Sequence, residues 1–165
     1  MSATQKLLIL AGLGLVAISM LYGFYYAVFD EHQTLEKIGF SMANGFAKAA
    51  EGDLAAAQAS LQAYAETRIE YLREVHGHGH MAALGTLLIL MGLFIDHIIG
   101  LEAKRLLISW MMVAGAVLLP LGAWLDVLVP APVPKVLSVA GASCLVLGMV
   151  GVIFSLLFTA TENND

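Results

Sequence analysis

The sequence predicts an all-α integral membrane protein, a four-transmembrane-helix up-down bundle with an extramembrane helical hairpin between spans 1 and 2. Three observations predict it. Of the 165 residues, 59% are hydrophobic and only 13% charged, whereas soluble domains are roughly half apolar and about a quarter charged. Residues 7–29, 81–100, 106–129 and 136–158 are mainly apolar, and each reaches the roughly 20 residues that a helix needs to cross a hydrocarbon core about 30 Å thick. The segment between the first two, residues 30–80, breaks the pattern, because its apolar residues recur at helical spacing among charges. The chain therefore reads as a single membrane domain, residues 1–165, with 30–80 as an insertion.

The net charge of −5 leaves no basic face to neutralise phosphates and excludes a nucleic-acid partner. Cys144 is the one cysteine, so an internal disulfide and a four-cysteine metal site are excluded. The first span follows Lys6, lacks a small-x-small cleavage site and is longer than the apolar core of a signal peptide, so an uncleaved span is expected. Spans 2 and 3 are joined by residues 101–105 (LEAKR), and spans 3 and 4 by the proline-rich residues 130–134 (PAPVP). Links this short make neighbouring spans antiparallel.

In the insertion, Leu35, Ile38, Met42, Phe46 and Ala49 recur every three or four residues, as do Leu54, Ala57, Leu61 and Tyr64. Between the two series, Gly52 suits a helix end and Asp53 an N-cap. Two amphipathic arms are expected, with Leu54, Leu61 and Val75 facing Leu35, Ile38, Met42 and Phe46. Lys6, Lys104 and Arg105 lie densely in short segments on one side of the membrane. Lys37, Lys48, Arg68, Arg73 and Lys135 are diluted on the other. By that density both termini are expected in the cytoplasm, the hairpin outside, and the chain in a bacterial inner membrane.

Histidines supply the candidate chemistry. His76, His78 and His80 stand at the start of span 2 and His32 at the end of span 1, with Asp30, Glu31 and Glu74 in the same zone. On a helix His76 and His80 share a face while His78 points away. Two ligand classes suit such a cluster. Zinc or copper would take His76, His80, His32, Glu31 and Glu74. A haem b would take one or two axial histidines beside an apolar slot. The expected slot is the face cleared by Gly85 and Gly92, with His80 at its head and Tyr22, Phe24, Tyr25, Tyr26 and Phe29 at matching depth.

The stretch His78-Gly-His80-Met-Ala-Ala-Leu84-Gly85 resembles the His-x-His-x3-Leu-Gly stretch of small four-span proteins related to the catalytic subunits of haem–copper oxidases and nitric oxide reductases. The resemblance covers about 15 residues and the four-span layout. It implies that His80, or its rival His78, is an axial ligand to a low-spin haem near the outer surface. No other span carries a mid-membrane histidine, so a second axial bond would come from His76, His32 or another chain. Asp96 and His97, near the inner end of span 2, form a second possible site, because ionisable groups inside a membrane are costly.

Spans 3 and 4 carry no comparable chemistry. Ala140, Cys144 and Gly148, with Gly151 and Ser155, form an expected close-approach stripe, and Trp110 and Trp124 bracket span 3 as interfacial residues would. No Ser-His-Asp set, P-loop, dinucleotide fingerprint or His-Glu-x-x-His motif occurs. The expected function is a small haem b-binding electron-transfer subunit of a respiratory-type membrane complex. The alternatives are a non-catalytic accessory subunit of a larger membrane enzyme, and a zinc- or copper-binding membrane protein. Expected partners are the lipid bilayer, other membrane subunits or further copies of the chain, and a soluble extracytoplasmic redox protein at the hairpin.

Overall fold

The structure, a computed structural model, describes residues 1–128 and 132–162. Five helices are present among them: α1 (Ala3–Phe29), α2 (Glu31–Ala50), α3 (Leu54–Ile98), α4 (Glu102–Leu128) and α5 (Pro132–Glu162), with no strand. Four of them, α1, α3, α4 and α5, are long and apolar enough to cross a membrane, as the composition predicts. The first hairpin arm follows span 1 with only Asp30 between them. Its backbone keeps the helical pattern, with Asp30 N–H donating to Tyr26 O and Thr34 N–H to Asp30 O, both at 3.0 Å. The second arm and span 2 are one helix of 45 residues, helical through Gly77 and Gly79. Proline at a helix start lacks only a hydrogen that has no partner there anyway. Pro132 and Pro134 accordingly open α5, while Pro130 and Ala131 of the expected link, and Val129 of expected span 3, lie outside the described residues.

Two compact units divide the chain, one of Met1–Met20 with the chain from Gly77 onward, the other of Leu21–His76. In the first, α1 and α3 run against each other through glycine. A Cβ on Gly12 would lie 2.5 Å from the Gly85 carbonyl oxygen, and one on Gly85 would lie 2.7 Å from that of Gly12. Further along, a Cβ on Gly92 would meet Ile9 at 2.7 Å. Lipid is as apolar as leucine, so spans associate by close van der Waals contact, and small residues permit it. The pair α4 and α5 repeats the device, with Gly115 against the Gly141 backbone and Leu145, and Gly148 against Met112. Leu8, Leu15, Met81, Leu88, Ile95, Met112, Ala116 and Leu145 fill the core.

One expectation changes here. The packed stripe of α5 is Gly141, Leu145, Gly148 and Val152, while Ala140 is exposed and Cys144 half-buried. A spacing of four residues drifts around a helix, whereas alternating threes and fours hold one face. Trp124 covers Gly77, where a Cβ would lie 2.5 Å from the indole nitrogen.

The second unit is the hairpin. Gly52 takes a φ of 81° at its turn, a left-handed conformation that costs other residues about 1–2 kcal/mol. The Asp53 carboxylate accepts from Ala56 N–H at 3.0 Å, capping α3 as the sequence predicts. The seam between the arms differs from the predicted one. It is built from Gly45, which sits against Leu61 and Ala57, and from Asn44, whose amide donates to Ser60 Oγ at 2.8 Å. Leu35, Phe40, Met42, Phe46 and Leu54 are exposed, Phe46 by 65% and Leu54 by 72%. Small residues let the arms approach, and that approach turns the larger apolar side chains of α2 outward.

Candidate functional site

The predicted histidine site does not assemble into a metal centre. Among the described residues, no three His, Cys, Asp or Glu side chains come close enough to hold a metal ion. His32, His76, Glu31 and Glu74 each have a partner inside the hairpin unit. His32, its side chain 86% exposed, pairs with Glu36 at 3.3 Å, one helical turn along α2. His76 Nδ1 lies 2.6 Å from Leu72 O, also one turn away. Glu31 accepts from the Tyr71 hydroxyl at 3.4 Å, and Glu74 accepts from the Tyr22 hydroxyl. Across the arms it is Glu31, not its neighbour His32, that meets Tyr71. The ring of His32 points along α2 instead of across.

In the bundle unit the facing of His78 and His80 is reversed from the expected one. Buried positions on α3 run Gly77, Met81, Gly85, Leu88, Gly92 and Ile95, with Ile99 just past its end, and His80 lies off this face and is exposed. His78 is half-buried, and its carbonyl oxygen accepts from the Ser19 hydroxyl of α1 at 2.6 Å. It stands seven residues before Gly85, a separation that returns to nearly the same side of a helix. The glycine-cleared face is thus filled by α1, and a haem between α1 and α3 does not fit the residues present. An axial bond from His80 would be made on the outer side of the bundle.

The second predicted site separates into two roles. Asp96 accepts from Arg105 Nη1 at 2.8 Å and from Ser2 Oγ at 2.9 Å, tying the start of α1 and the start of α4 to the end of α3. The ion pair is mostly buried, with side chains 18% and 23% exposed. A charge-assisted bond in such a place is worth about 1.5–3 kcal/mol. His97 is exposed and takes no part.

Sequence reasoning missed a cavity at the end of the hairpin away from Gly52. It holds about 300 Å3 and is walled by Tyr22, Tyr26, Asp30, Glu70, Tyr71 and Glu74, with Lys37 also at its wall. Tyr22 and Tyr26 stack with centroids 6.4 Å apart, and Tyr26 and Tyr71 stand 6.4 Å apart at an interplanar angle of 41°. The available signal was the spacing of Tyr22, Tyr26 and Asp30, one turn apart on one face. Assigned to a haem slot beside span 2, Tyr22 and Tyr26 instead line a cavity with Tyr71. The chain matches no protein-family model, no curated protein and no solved structure.

Proposed function

We propose that this chain is a non-catalytic, multi-pass membrane subunit whose extracytoplasmic hairpin docks a second polypeptide. One observation carries the reading, the exposed apolar side of α2, where Leu35, Met42 and Phe46 recur at helical spacing. An amphipathic helix that keeps this side out of its own seam is built to meet something else. Charge favours protein over lipid as the counterpart. Helices that lie on anionic membranes are rich in lysine and arginine. The hairpin instead carries eight carboxylates (Asp30, Glu31, Glu36, Glu51, Asp53, Glu66, Glu70, Glu74) against Lys37, Lys48, Arg68 and Arg73. The four spans anchor the subunit, with both termini in the cytoplasm of a bacterial cell on the density of Lys6, Lys104 and Arg105.

The test is Phe46→Glu in the full chain, extracted from its own membrane in mild detergent. The wild type should run in native mass spectrometry as a complex with a second polypeptide. The variant should run alone, with unchanged helicity and melting temperature. A wild type that is only ever monomeric, or a variant that keeps the partner, contradicts the proposal.

A haem b electron-transfer subunit is the second reading, supported by the exposed position of His80 at the head of span 2 and by its resemblance to the oxidase-related stretch. The haem would sit on the outer side of the bundle, with its other axial ligand from another chain. A b-type α band in the reduced complex, lost in His80→Ala and kept in His97→Ala, would support it. A spectrum without a Soret band in the intact complex would reject it.

A further inference from the structure

We propose that the hairpin pairs with a second copy of itself into a four-helix bundle, which rests on the docking reading above and names its partner. Within one hairpin, the side of α2 turned to the other arm runs Thr34, Ile38, Ser41 and Gly45, all buried or half-buried, with Gly45 against Ala57 and Leu61. The residues one step further on, Leu35, Gly39, Met42 and Phe46, are all exposed. Alternating steps of four and three hold such a row along a helix that coils with a neighbour. The α3 arm repeats the pattern. Ser60, Tyr64, Thr67 and Tyr71 are half-buried, and Leu61, Ala65, Arg68 and Leu72, one step further on, are exposed.

One residue turns about 100° around a helix, and in antiparallel arms the two turns run in opposite senses. Both open rows therefore lie on the same side of the hairpin, at nearly a right angle to its seam. A helix with two rows set in this way suits a four-helix bundle, where each row meets one neighbour. A two-fold axis parallel to the arms supplies the missing neighbours. It lays α2 of one copy beside the α3 arm of the other, antiparallel and at the height that the arms have within one hairpin. Charge singles out a second copy as the occupant. Arg68 interrupts the apolar row of the α3 arm, and covering it without a carboxylate would be strongly unfavourable. Glu31 stands four residues before Leu35 and accepts from the Tyr71 hydroxyl of its own hairpin at 3.4 Å. It is therefore level with Tyr71 of the second copy also, one turn from Arg68 of that copy. The two-fold axis makes this contact twice.

The test uses two differently tagged copies of the full chain, expressed in one cell and extracted in mild detergent. Capture of one tag should recover the other, and native mass spectrometry should give twice the chain mass. When both copies carry Glu31→Arg, or both carry Arg68→Glu, recovery should fall roughly tenfold or more, because like charges then meet. One copy of each restores opposite charges at both contacts, so the mixed pair should be recovered as the wild type is. A role inside a single hairpin cannot produce that rescue. Met42→Glu, on the open row, should also abolish recovery, and Phe40→Glu, off the row and 74% exposed, should leave it unchanged. Should either charge variant lose helicity, the Met42 and Phe40 pair decides alone. A mixed pair of folded variants that is not recovered, or a dimer indifferent to Met42→Glu, overturns the proposal. A complex with a different polypeptide overturns it and leaves the docking reading standing, and a chain found only as a monomer overturns both.

Discussion

Single residues set how closely the spans approach. Gly12 and Gly85 bring two backbones together, and the atoms that a Cβ would meet are carbonyl oxygens that cannot swing aside. Gly85→Leu should therefore force α1 and α3 apart and destabilise the bundle by about 3 kcal/mol or more, read as a fall in melting temperature and yield. Gly14→Leu, on α1 with open space at its Cβ, should change neither. Ser19→Ala removes the bond to the His78 carbonyl and should weaken the fold by about 0.6–1 kcal/mol. Asp96→Ala leaves Arg105 and Ser2 without their acceptor and should lower stability by about 1.5–3 kcal/mol. A melting temperature unchanged by Asp96→Ala would return that residue to the list of functional candidates.

Among the elements, the hairpin turn and the face of α2 behave differently. Gly52→Val meets the penalty of a positive φ and should raise protease sensitivity at the turn, at about 1–2 kcal/mol. Gly39→Ala fills open space in the middle of α2 and should stabilise by about 0.5–1 kcal/mol. Helix existence, the turn at Gly52 and the Asp53 cap were legible in the sequence, because local chemistry alone decides them. The face of α2 was not, because Asn44 and Gly45, neither of them large and apolar, bring it against Ala57, Ser60 and Leu61. In the spans the difficulty is the reverse. Apolar residues surround each helix, so hydrophobic spacing cannot say which side packs. Small residues can, and Gly85 and Gly92 hold a face with His78 seven residues before the first of them. Assigning that face to His80 ignored this spacing.

The whole molecule has four apolar helices and an acidic hairpin whose α2 keeps an apolar side exposed. Topology is checked by impermeant maleimide on intact cells, in a Cys144→Ser background. A cysteine at Gln62 should be labelled and one at Glu102 protected, and the opposite pattern would invert the orientation. The docking proposal itself is tested most directly by a photo-crosslinking phenylalanine analogue at position 46 in native membranes, compared with position 62 on the other arm. Irradiation should give a discrete adduct with a second polypeptide from position 46 and none from position 62. An adduct with lipid alone from position 46 would contradict the account, and would mean that the hairpin lies along the bilayer surface.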